Sequence, residues 1–257
     1  MLKRFLALLF SAALLLSLLP AFPALTEPLP LAESGLSGVV TVPYDESDPT
    51  AGAYVYQYSF PYVNPDHPDA YRVNNFYEAR LRDMENDYIP NLSEYYADLG
   101  VPFSSVVSFE VTCNNDEYFS VLIRTETDED GEITRTCEGN TFSRLNGMPG
   151  SVFSLPNILG KLDAGETDDF REDFFTERIA RVVRKLVWEQ IRKDPDALSF
   201  DPPLTEEDLS LIFFPDLDFY LDASGDPVFY ILAERREEGE PDWYTFPISL
   251  ETIRDEL

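Results

Sequence analysis

Between Val101 and Cys137 the chain carries three β-rich runs separated by two turn signals, and this stretch constrains the fold most. Val101–Cys113 alternates apolar and polar residues before the turn chemistry of Asn114–Asp116. Tyr118–Glu126 follows, then the turn Asp128–Gly131 and the returning run Ile133–Cys137. Short polar turns bring a strand back beside its predecessor, so these runs predict an antiparallel meander over 106–113, 118–126 and 132–138. Cys113 and Cys137 then fall on its outer strands, about 9–10 Å apart. Bridged Cα atoms lie within ~7 Å. A disulfide between these two candidates therefore requires the outer strands to be neighbours or the sheet to curl, and both outcomes stay open.

The flanking segments extend the pattern. Residues 25–38 are rich in Pro, Ser and Gly and predict a flexible leader before a strand at Val39–Val42. Tyr54–Phe60 is a strand with Tyr54, Tyr56, Tyr58 and Phe60 on one face, and the prolines of 61–69 make a loop. Asn74 or Asn75 is the expected cap of a helix whose apolar stripe is Tyr77, Leu81, Met84 and Tyr88. Pro90 interrupts that helix, and a further turn or two ends at Gly100. Residues 139–160 read as irregular loop with a short strand at Phe142 and a helical turn near Ile158. The strongest helix spans Asp168–Lys193, with Ile179, Val182, Val183, Leu186, Val187 and Ile191 in one stripe and Thr167 as its cap. Thr205 with Asp208 forms a capping box, Asp218–Ala233 a hairpin tipped by Gly225, Trp243–Ile248 a strand, and Ser249 caps a last helix.

Helices do not alternate singly with strands, which favours an α+β fold of antiparallel sheets with one long amphipathic helix per half. The expected division is an N-terminal α/β module over 39–126 and a C-terminal domain over 127–257.

Residues 1–24, MLKRFLALLFSAALLLSLLPAFPA, have the layout of a secretory signal peptide. Lys3 and Arg4 precede an uncharged apolar run that is short of the about 20 residues of a comfortable membrane span. The expectation is an exported chain, secreted or held at the cell surface, with no membrane span once the leader is cleaved. Phe22 or Leu19 at the position that prefers a small residue keeps an uncleaved anchor as the alternative.

Outside the cytoplasm, charge governs which partners are attracted. The 48 acidic residues against 19 basic ones give a net charge of −29. That field repels phosphate backbones and argues against nucleic acid as a partner. It attracts cationic proteins and serves solubility. His67 is the one histidine, in the proline-flanked loop PDHPD, so a multi-histidine zinc site and a fallback triad base are both excluded. Phosphate-loop, dinucleotide and nucleophile-elbow motifs are missing, and no metal or cofactor is expected. Paired carboxylates keep a glycan hydrolase as an alternative, because such enzymes place two acids across the scissile bond. Asp128, Asp130 and Glu132 alternate about a glycine, with spacing wrong for a calcium-binding hand. Binding contacts are expected on loops: Asn140, Phe142, Asn146 and Met148 within Gly139–Gly150, and the acidic tips at Asp128, Asp130, Asp222 and Asp226.

The stretches YVYQYSFPYV and YRVNNFYEARL resemble the small module that precedes the RsiV-type domain in exported bacterial proteins. ERIARVVRKLVWEQI, LTEEDLSLIFFPDLDFYLDASGDPVFYI and YTFPISLETI resemble that domain itself. The resemblance implies an extracytoplasmic domain of Gram-positive bacteria, of the kind that binds lysozyme in RsiV and accompanies a separate catalytic domain in the deacetylase PdaC. CEGNTFSRLNG stands where the family commonly carries Gly-Gly-Ala-His, and the deacetylase His and Asp motif has no counterpart. The apolar run sits almost at the first residue, so no sigma-factor-binding head is expected. The expectation is a non-catalytic cell-envelope binding protein for a cationic protein or a wall glycan, or a purely structural wall-associated domain.

Overall fold

The meander forms, and each of its strands runs longer than its sequence signal. In a computed structural model that describes residues 27–33, 35–45, 52–144, 153–159, 169–193, 204–233 and 242–257, β3 (Phe103–Asn114), β4 (Tyr118–Glu129) and β5 (Glu132–Ser143) pair antiparallel. Asp128 fixes the β4–β5 turn by accepting the Gly131 amide at 2.8 Å, with Asp130 and Gly131 at positive φ. The leader Met1–Ala24, Thr167, Asn146 and Met148 lie outside the described residues.

Two further strands complete the sheet, in the order β1-β2-β3-β4-β5. β1 (Leu36–Pro43) pairs antiparallel with β2 (Ala53–Phe60), and β2 lies parallel to β3. A parallel neighbour requires a crossover, here supplied by α1 (Ala70–Asp83), a π-helical turn (Met84–Tyr88) and α2 (Ile89–Leu99). Helix therefore continues through the expected break at Pro90. Proline lacks the N–H and crowds the carbonyl four residues back, and the wider turn just before it carries the chain on. Gly100, at φ 69°, ends α2 as expected. Asn74 is no cap. It lies inside α1, buried, and its side-chain amide bonds both the N–H and the C=O of Val63 at 2.8 Å.

The segment expected to be a flexible leader is docked. Asn114 accepts the Leu29 amide at 2.7 Å and donates to the Leu29 carbonyl at 3.0 Å, acting as a strand partner. Ala32 donates to Tyr62, and Asn64 to Pro30. Arg144, nearly buried, clamps the same region through bonds from its guanidinium to the carbonyls of Glu27 and Asn115.

The faces of β4 divide the molecule. Phe119, Val121 and Ile123 join Tyr54, Phe60, Tyr77 and Phe142 in the core under α1 and α2. Tyr118, Ser120 and Leu122 point the other way, toward β6 (Phe219–Leu221), β7 (Pro227–Leu232) and β8 (Trp243–Pro247), an antiparallel sheet of its own. Ser120 Oγ accepts the Leu221 amide at 3.0 Å, and Leu122 packs with Cys137 and Tyr230. Outside that second sheet lie α3 (Leu155–Ile158), α4 (Asp169–Ile191), α5 (Glu206–Ile212) and α6 (Leu250–Glu256). α4 turns Ile179, Val183, Val187 and Ile191 into this second core. The fold is thus α+β with mainly antiparallel sheets and one long helical element in each half. The sheet is continuous across residues 126 and 127: β4 spans them and pairs with β5 along its whole length.

The close approach of the two sheets rests on Gly139. A Cβ there would stand 1.7 Å from the Phe219 carbonyl oxygen. Its amide donates to Tyr230 Oη at 3.2 Å.

Candidate functional site

Two turns and the start of a helix meet at one end of the molecule. The β3–β4 turn is shaped by Asn115 Oδ1, which accepts the amides of Glu117 and Tyr118. Asp222 organises the β6–β7 turn by accepting the amides of Ser224 and Asp226, with Gly225 at φ 87° on its tip. Asp226 in turn accepts the Leu250 amide at 2.9 Å and so fixes the start of α6, which Ser249 caps by accepting the Thr252 amide. Between them lies a cleft of about 610 Å³ lined by Asp116, Glu117, Tyr118, Asp226, Glu251 and Arg254. Among the described residues four carboxylates and one guanidinium line it, so the cleft has a negative potential suited to a cationic group. Burial pushes the Tyr118 phenol up, keeping it neutral.

The residues expected to bind are scattered by the fold. Asp226 lines this cleft, and Asp222 holds its turn. Asp128 and Asp130 sit at the opposite end of β4, a strand of 12 residues and thus ~40 Å long. Asn140 and Phe142 are not loop contacts. They belong to β5 and are 2% exposed. Asn140 Oδ1 accepts the Tyr77 hydroxyl at 3.1 Å, and Phe142 packs among Phe76, Tyr77 and Phe119. Asn140 and Phe142 thus face the helical crossover, while Gly139 and Thr141 on the other face of β5 lie toward the second sheet, roles that composition does not separate from a loop. Asp116, Glu117, Glu251 and Arg254 were missed as a set because the turn and the helix are more than 130 residues apart in the chain.

Cys113 and Cys137 are free and buried. β4 lies between them, and their partners on it, Ser120 and Arg124, are four residues apart. The disulfide is therefore not formed, in keeping with the meander spacing. Burial raises the Cys113 thiol to about 11 and the Cys137 thiol to about 12, so neither offers a thiolate at neutral pH. His67 Nδ1 accepts the Asp69 amide at 3.2 Å in its loop. Asp218 is raised to about 6, first by burial, while it accepts the Phe214 amide.

A second concavity lies where β8 meets the first sheet. Arg124 lies over the Trp243 ring at 5.9 Å and pairs with Glu110. Arg135 pairs with Glu126 and approaches Asp242 at 3.7 Å. Trp243 also packs against the Leu122, Cys137 and Tyr230 cluster, so these contacts join the sheets.

This two-sheet architecture has a solved counterpart. The chain is similar in fold to a DUF3298 family protein. That protein, BF2082 from Bacteroides fragilis, aligns with a TM-score of 0.55 and 12% identity over 90% of this chain and 94% of its own. A second DUF3298 protein, PA4972 from Pseudomonas aeruginosa PAO1, aligns at a TM-score of 0.45 and 13% identity, over 90% and 95%. No protein-family model matches the sequence, and no curated protein matches it. Among the described residues, no helix is long and apolar enough to cross a membrane.

Proposed function

We propose that this chain is an exported, non-catalytic binding domain of the bacterial cell envelope whose partner is a cationic protein of the lysozyme kind. The observation that carries the reading is the acidic cleft, lined among the described residues by Asp116, Glu117, Asp226 and Glu251 against one arginine, Arg254. The net charge of −29 supports it, because such a field steers cationic proteins toward the surface. The signal-peptide layout of residues 1–24 supports export. The RsiV-type resemblance of the sequence supplies lysozyme as the partner to try first, and Gram-positive bacteria as the source.

The test is binding of lysozyme to the chain lacking residues 1–24, at low and at high salt. Binding is expected at low salt, weakened about tenfold or more as the salt shortens the Debye length to a few ångströms. Glu117→Gln combined with Glu251→Gln is expected to slow association. Lysozyme that fails to bind at low salt removes the lysozyme reading.

A further inference from the structure

One face of the helical crossover carries a groove of about 530 Å³ on the opposite side of the first sheet from the acidic cleft's second-sheet wall. Its apolar lining is Phe76, Ala79, Met84 and Tyr88, and its acidic lining is Asp83 and Asp87. Arg80 also borders it, but that guanidinium is held in a two-pronged pair with Glu138 at 2.9 and 2.8 Å and lies over the Phe60 ring. Its charge is thereby answered within the fold. Among the described residues Asp83 and Asp87 have no cationic partner, so the groove's unanswered charge is negative. Tyr88 is 55% exposed at its edge. The π-helical turn Met84–Tyr88 forms the middle of this wall, and such turns are frequent at functional sites.

We propose that this groove is a docking site for a basic amphipathic segment of a partner protein. An apolar side chain enters between Met84, Phe76 and Tyr88, and lysine or arginine residues beside it meet Asp83 and Asp87. Charge complementarity selects this occupant. A purely apolar segment leaves both carboxylates unanswered, and an acidic one is repelled. Aromatic and methionine side chains supply adaptable contact area of the kind that carries binding energy. The proposal rests on the reading of the chain as a binder of cationic protein and adds a second contact surface to it.

The probe is a fluorescein-labelled amphipathic peptide with Leu and Phe along one helical face and Lys elsewhere, followed by anisotropy. A peptide of Lys and Ser of equal charge is the comparison. The expected result is saturable binding of the first peptide, about tenfold tighter than the second, weakened about tenfold by Tyr88→Ala. Asp83→Asn with Asp87→Asn is expected to weaken it at low salt and little at high salt. Circular dichroism checks that the variants fold, and the exposure of Tyr88 makes that substitution mild. Equal binding of both peptides, or none of either, overturns the proposal. So does a dimer of the protein alone that Tyr88→Ala dissolves, which assigns the groove to a second copy. Peptide binding that Tyr88→Ala reduces, with lysozyme inert toward the parent protein, keeps the groove and retires lysozyme. Lysozyme binding that Tyr88→Ala leaves intact, with the peptide inert, does the reverse.

Discussion

Gly139→Ala tests the joint between the two sheets. The new methyl group would stand 1.7 Å from the Phe219 carbonyl oxygen and 2.6 Å from its carbon, both backbone atoms with no rotamer to retreat into. An ordinary contact needs more than 3 Å, so β5 and β6 must separate by about 1.5 Å, and a gap of even 0.5–1 Å forfeits a quarter to a half of a dispersion contact. Leu122, Cys137 and Tyr230 lie in that joint, and the Gly139 amide loses its bond to the Tyr230 hydroxyl. Overpacking of about 1–3 kcal/mol and a lost hydrogen bond of about 1 kcal/mol together give a destabilisation of about 3 kcal/mol. Urea unfolding followed by tryptophan fluorescence reads it, with Gly131→Ala as the comparison. Gly131 has φ 91° and open space around it, so that variant meets backbone strain alone, about 1 kcal/mol. A Gly139→Ala protein within 0.5 kcal/mol of the parent, or no less stable than Gly131→Ala, refutes the close approach.

Two further outcomes are expected. Asn114→Ala removes both bonds to Leu29, and hydrogen exchange at the Leu29 amide should rise about tenfold or more while the β4 amides stay protected. Asp218 has a folded pKa of about 6, above its ordinary 3.8, so between those values the folded state holds the proton that the unfolded state releases. The parent protein should therefore lose stability as pH rises from about 4 to 6 and stay lower above it. Asp218→Asn keeps an acceptor for the Phe214 amide and should remove that slope, with a gain of up to about 2 kcal/mol at pH 7 after allowance for its partial exposure, read from melts across the pH range.

Local chemistry in the sequence determined most of the elements. The turns at Asn114–Asp116, Asp128–Gly131 and Gly225, the capping box of Thr205 and Asp208, the Ser249 cap and the stripe from Ile179 to Ile191 all act within a few residues, where periodicity and side-chain reach decide. Spacing across a meander left the Cys113–Cys137 bridge open, and the pairing of β4 between the two outer strands decided against it. Contacts between distant segments were decided only by tertiary structure. Asn114 docks Leu29 from 85 residues away, and the β2–β3 pair is parallel because a helical crossover joins it. Pro90 is tolerated through a π turn, and Asn140 and Phe142 lie in a strand buried between layers. The acidic cleft has the same origin. Asp116, Glu117 and Glu251 are ordinary surface acids in the sequence, and they become a site because folding sets a β-turn against the start of a helix more than 130 residues later.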